Sequence, residues 1–138
     1  MPRFIDTNIL LRYLTRDDEQ KAVACFALLR RVERSEEVVV TTDVTIAETV
    51  FVLQSPRRYG VPRDRIRQLL EPIIGLRGLR LPHKALYPRA FDLYCQSNVS
   101  FADAFNAAYM QSRGLNEVYS YDTDFDRLEG ITRLEPEA

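Results

Sequence analysis

Short β-branched or apolar runs alternate with longer amphipathic stretches along the whole chain, and this alternation limits the fold more than any other feature. Phe4-Ile5, Val38-Val39-Val40, Leu79-Arg80-Leu81 and the segment Glu117 to Tyr121 have the length and composition of strands. The stretches between them carry apolar residues at helical spacing. The spacing predicts a first helix from Thr7 to Thr15, with Ile9, Leu10, Tyr13 and Leu14 on one face. A second runs from a cap at Asp17 or Asp18 to about Arg34, and a third from about Val44 to Leu53. Pro62 opens a fourth, which ends at Gly75 to Gly78. Two more cover Leu86 to Gln96 and, capped by Ser100 and stopped by Gly114, Phe101 to Ser112. Ile131 to Leu134 is a candidate edge strand. Strands alternating with helices imply an α/β sandwich around a parallel sheet, with 138 residues fitting a single domain over 1–138.

Composition removes several functional classes. No run approaches the roughly 20 apolar residues that a bilayer requires. The N-terminus meets a charge at Asp6 and lacks the apolar stretch of a signal peptide, so a cytoplasmic location without membrane partners is expected. Cys25 and Cys95 form no Cys-x-x-Cys pair and are expected as two buried free thiols. His83 is the only histidine; it follows Pro82 and is expected on the surface without a partner, which argues against histidine-based catalysis. The net charge is −1, yet 17 of the 19 basic residues are arginine, only Lys21 and Lys84 being lysine. Arginine forks suit phosphate, although a GC-rich genome produces the same bias.

The informative residues are acids. Asp6 follows the first strand, Asp43 and Glu48 follow the second, Asp103 lies in the first turn of the helix capped by Ser100, and Asp122, Asp124 and Asp126 follow the strand ending at Tyr121. Parallel sheets bind ligands beyond the carboxyl ends of their strands, so Asp6, Glu48, Asp103 and Asp122 can converge there. Carboxylates gathered at contact distance repel and raise one another's pKa unless a divalent cation compensates. Mg²⁺ or Mn²⁺ prefers such oxygen donors, activates water and offsets charge on a phosphate. Each acid also has a structural explanation: Thr45 to Glu48 forms a candidate capping box, Asp103 is a helix-dipole partner, and Asp122 to Asp126 is a candidate solvated turn. Thr7 and Asn8 are placed to orient Asp6, Asn106 lies one turn from Asp103, and Ser120 stands two residues before Asp122.

Four segments resemble the PIN-domain nucleases, and among them the VapC-type toxins of toxin–antitoxin pairs. Phe4-Ile5-Asp6-Thr7-Asn8-Ile9-Leu10 is similar to the family's opening motif, and Ile46-Ala47-Glu48 to its helical Glu. Phe101-Ala102-Asp103-Ala104 is similar to its Asp-Ala segment, and Ser120-Tyr121-Asp122-Thr123-Asp124-Phe125 to its final motif. The resemblance covers essentially the whole chain. It implies a three-layer α/β/α sandwich with a central parallel sheet of about four to five strands. It further implies a Mg²⁺- or Mn²⁺-dependent endoribonuclease leaving a 5′-phosphate and a 3′-hydroxyl, a homodimer, and a cognate antitoxin as partner. The metal-binding acids carry over to Asp6, Glu48 and Asp103, with Asp122 first and Asp124 second for the remaining position. Arg12 and Arg16, on the helix after Asp6, are candidates for contact with the RNA backbone. The competing readings are a phospho-acceptor signalling domain, a non-catalytic RNA-binding module and a flap-type DNA nuclease; neither lysine follows the late strand, all four acidic positions are filled, and no extra DNA-gripping element is present.

Overall fold

The computed structural model describes residues 1–138, which divide into two compact units, Met1–Lys84 and Ala85–Ala138. The fold is mixed α/β with parallel strands, as the alternation requires.

In the first unit the order is β1 (Arg3–Phe4), α1 (Thr7–Thr15), α2 (Glu19–Glu33), β2 (Val39–Val40), α3 (Asp43–Gln54), α4 (Arg63–Ile74) and β3 (Leu79–Arg80). The strands pair in parallel in the order β1-β2-β3, with Phe4 opposite Val40 and Val40 opposite Arg80. Backbone bonds carry the ladder one residue past the strands: Ile5 N–H donates to the Val40 carbonyl and Thr41 N–H to that of Arg80. Asp6 and Asp18 cap α1 and α2 by accepting from the backbone N–H groups of Asn8 and Lys21. Pro62 stands at the cap itself rather than inside the first turn of α4. Leu10, Leu29, Ile46, Leu53, Ile66 and Leu70 are buried and form the apolar interior. Gly78 passes against α2 so closely that a Cβ there would sit 2.6 Å from the Val32 carbonyl oxygen, a space only glycine fits.

In the second unit a 3-10 turn (Lys84–Leu86) at the boundary leads into α5 (Tyr87–Ser97), followed by α6 (Phe101–Ser112), β4 (Glu117–Tyr119), a 3-10 turn (Thr123–Arg127) and β5 (Thr132–Leu134). β4 and β5 pair in parallel, with Val118 opposite Arg133. Five short parallel strands are present, but as a three-stranded sheet in one unit and a two-stranded sheet in the other rather than the single central sheet of four to five strands expected. An aromatic cluster of Tyr87, Phe91, Tyr94, Phe101 and Phe105 joins α5 to α6.

One further expectation needs correction. His83 has a partner: its Nδ1 lies 2.6 Å from Asp43 Oδ2, forty positions away in the chain. Arg16 pairs with Glu19 at 2.6 Å on the exposed surface. Both cysteines are free thiols, as expected, with Cys25 buried but Cys95 only partly so. No helix is long and apolar enough to cross a membrane.

Candidate active site

Local backbone chemistry places the acids of the second unit. Ser100 caps α6 by accepting from Asp103 N–H at 3.1 Å, which fixes Asp103 in the first helical turn. The cap and the helix dipole, typically worth about 0.3–1 kcal/mol for an acid here, both favour its charge. β4 delivers the chain to Ser120, whose Oγ accepts from Asp122 N–H at 2.9 Å. Asp122 in turn caps the following 3-10 turn by accepting from Asp124 N–H at 2.8 Å. Ser120 therefore acts by holding the backbone of Asp122, with its own carbonyl receiving Arg133 at 3.0 Å.

These caps bring carboxylate oxygens of Asp103, Asp122 and Asp124 within 4.8 Å of one another. Asp122 and Asp124, ranked as alternatives from the sequence, stand together in one group. The electrostatic consequence falls on Asp103. Its carboxyl is pushed above the ordinary range, first by burial, then by the charge of Asp122 and a side-chain hydrogen bond with it, with Asp124 adding in the same direction and Ser100 opposing. Arg127 offsets part of the negative charge, lying 3.1 Å from Asp124. Three oxygen donors at this spacing, one of them destabilised as an anion, match what a hard divalent cation requires. Asn106 is exposed one turn after Asp103 on α6.

The remaining acids belong to the first unit. Asp6 stands at the end of β1, exposed, with its carboxylate holding Asn8 N–H at 3.0 Å. Thr7 is the half-buried first residue of α1. Glu48 is exposed on α3. The capping-box explanation for Glu48 does not hold: the cap of α3 is Thr42, which leaves Glu48 beyond the first turn. Lys84 is committed to the carbonyls of Leu76 and Leu79, at 2.9 and 3.0 Å, so it cannot serve a phospho-acceptor site as a free cation.

Thr41 has a role that sequence reasoning missed. Its buried hydroxyl donates to the Ile5 carbonyl at 2.9 Å, clamping β2 to the end of β1 immediately before Asp6. No short motif signals a contact spanning 36 residues. Thr41→Val keeps the volume but leaves that buried acceptor unpaired, so it is expected to destabilise the fold by about 1–3 kcal/mol in urea titration. A loss below the error of the titration would show the clamp to be dispensable.

Comparison with known proteins places these residues in context. The PIN domain family matches residues 3–131. One solved structure, that of the sarcin-ricin loop cleaving toxin VapC20 of Mycobacterium tuberculosis, aligns over 97% of this chain and 99% of that one, at 20% identity and a TM-score of 0.36. No curated protein matches the chain by sequence.

Proposed function

This chain belongs to the PIN-domain family, and from that premise we propose that it is a Mg²⁺- or Mn²⁺-dependent endoribonuclease, the toxin of a VapBC-type toxin–antitoxin pair. The observation that carries the reading is the convergence of Asp103, Asp122 and Asp124 within 4.8 Å. The four PIN-like motifs support the assignment of Asp6 and Glu48 to the same site. The family match runs across both compact units, which supports one nuclease domain over 1–138.

By the family motifs, Asp6 and Asp103 would hold the principal ion, with Glu48, Asp122 and Asp124 completing or extending the site. When bound, the ion supplies Lewis-acid neutralisation of the phosphate and activation of the attacking water. The chain's own residues set the geometry. Ser100 and Ser120 lock the backbones of Asp103 and Asp122 through their N–H groups. Thr7 and Asn8 orient Asp6, and Asn106 lines the approach to Asp103. Arg12 faces the RNA backbone. The partners are an RNA substrate, a cognate antitoxin and a second copy of this chain in a homodimer, in the cytoplasm.

The test is cleavage of a generic RNA with Mg²⁺ or Mn²⁺ against an EDTA control, with the product ends mapped. Cleavage is expected only with the ion present and is expected to return when the ion is restored. Cutting that persists in EDTA would remove the metal from the reading, and no cutting under any condition would remove the nuclease.

A further inference from the structure

In the first unit a cleft of about 350 Å³ lies between α1 and α2, lined by Asn8, Ile9, Arg12, Lys21, Ala24 and Cys25. Its charge sets it apart from two other cavities of the unit. The cavity beside Tyr13 and Phe26 contains Arg30 together with Glu33, 3.8 Å apart, and the one at the N-terminus contains Arg3 together with Glu37, 3.6 Å apart. In both, the cation is balanced by a carboxylate of the same wall. The α1–α2 cleft has two cations and no acid in its lining, and neither Arg12 nor Lys21 enters an ion pair. Two like charges facing one hollow repel, and an anion between them turns that cost into attraction.

The lining suits one kind of anion. A guanidinium fork, an ammonium and a side-chain amide together present only donors and one neutral acceptor, which is the complement of a phosphate diester. Ile9, Ala24 and Cys25 supply the apolar part of the lining. Arg12 and Cys25 line the same cleft.

The position is as telling as the charge. Asn8 lines the cleft with its side chain while its backbone N–H holds the Asp6 carboxylate at 3.0 Å. Arg12 stands six residues beyond Asp6, about 9 Å along the helix axis. We propose that this cleft is a phosphate subsite that grips the RNA backbone beside the scissile bond, with Arg12 and Lys21 as its substrate-gripping cations. This assignment rests on the nuclease reading for its ligand.

Gripping and cutting are measured separately. Anisotropy of a short fluorescein-labelled single-stranded oligoribonucleotide is followed in EDTA across a salt series, for the wild-type chain, Lys21→Gln, and Arg12→Gln combined with Lys21→Gln. Each cation that meets a phosphate on a single strand contributes about 0.7 to the log–log salt slope. The double variant is therefore expected to lose about 1.4 from the slope and the single variant half of that, with binding weakened about fivefold per cation at about 0.1 M salt. Lys21 is exposed, so its replacement reports on the cleft even if the double variant unfolds. A slope and affinity unchanged in Lys21→Gln overturn the subsite whether or not the wild type cuts RNA. Loss of binding to an acidic protein partner with RNA binding intact also overturns it, assigning the cleft to that partner. A wild type that binds with the expected slope yet never cleaves with Mg²⁺ keeps the subsite and removes the nuclease.

Discussion

Asp103→Asn is expected to abolish RNA cleavage while leaving the metal-free protein as stable as the wild type or more so. The loss should exceed about a hundredfold, because removing even an outer partner of a metal ligand costs about 10–100-fold, and Asp103 is placed as a ligand itself. The stability expectation has an independent origin. Burial and the neighbouring Asp122 raise the Asp103 carboxyl above its ordinary range, so the native state holds its proton more tightly than the unfolded state does. Stability from this group is then fully present below the unfolded value and lost as pH rises through the folded one. At neutral pH the ionised carboxylate is a cost to the metal-free fold, and the neutral amide removes it. Two thermal melts check the argument. Wild type without metal should gain stability on mild acidification more than the variant does. Mg²⁺ at about a hundred times its dissociation constant should stabilise wild type by about 2.7 kcal/mol and the variant by far less. A variant that cleaves at the wild-type rate, or loses activity only because it unfolds, would remove Asp103 from the site.

The helices bounded by local chemistry were the legible part of this fold. α1 and α6 occupy the residues that spacing and the Ser100 cap predict, and Asp6 and Ser100 satisfy orphan N–H groups within three positions of themselves. Strand ends were less legible. The stretch from Glu117 to Tyr121 is regular only as far as Tyr119, because Ser120 and Asp122 turn their side chains to capping the next segment. The acids were legible as a set through their positions after strands. Their grouping was not, since Asp122 and Asp124 differ only in how the turn between them is capped. Contacts between residues distant in sequence left no local trace: His83 with Asp43, Thr41 with the Ile5 carbonyl, and the open cationic cleft on α1 and α2. Arginine content pointed to phosphate without showing which arginines are free. Arg16 lies in an exposed pair with Glu19, whereas Arg12 lines the α1–α2 cleft.

Phe101→Ala is expected to give the largest stability loss of any single substitution discussed, about 3–5 kcal/mol in urea titration. Phe101 is 4% exposed and is the ring shared by the other members of the cluster, with centroids of Tyr87, Phe91, Tyr94 and Phe105 at 6.2, 5.2, 5.6 and 6.3 Å. Truncation removes the ring's transfer energy and strips four aromatic neighbours of their contacts, while the close-packed α5 and α6 can collapse only partly into the gap. Against a total stability of about 5–15 kcal/mol for an ordinary domain, that loss brings the protein near its unfolding threshold. The site should feel it directly, because Phe101 is the first residue of α6 and Asp103 lies two positions on. Phe101→Leu, which refills part of the volume, should recover a good share of the stability and restore cleavage in proportion to the folded fraction. If instead Phe101→Leu is nearly as stable as wild type yet stays inactive, the ring is setting the direction of α6, and with it Asp103, rather than only supporting the core. A loss below about 1 kcal/mol for Phe101→Ala would contradict the packing itself, since so small a cost is typical of surface positions and not of a buried ring.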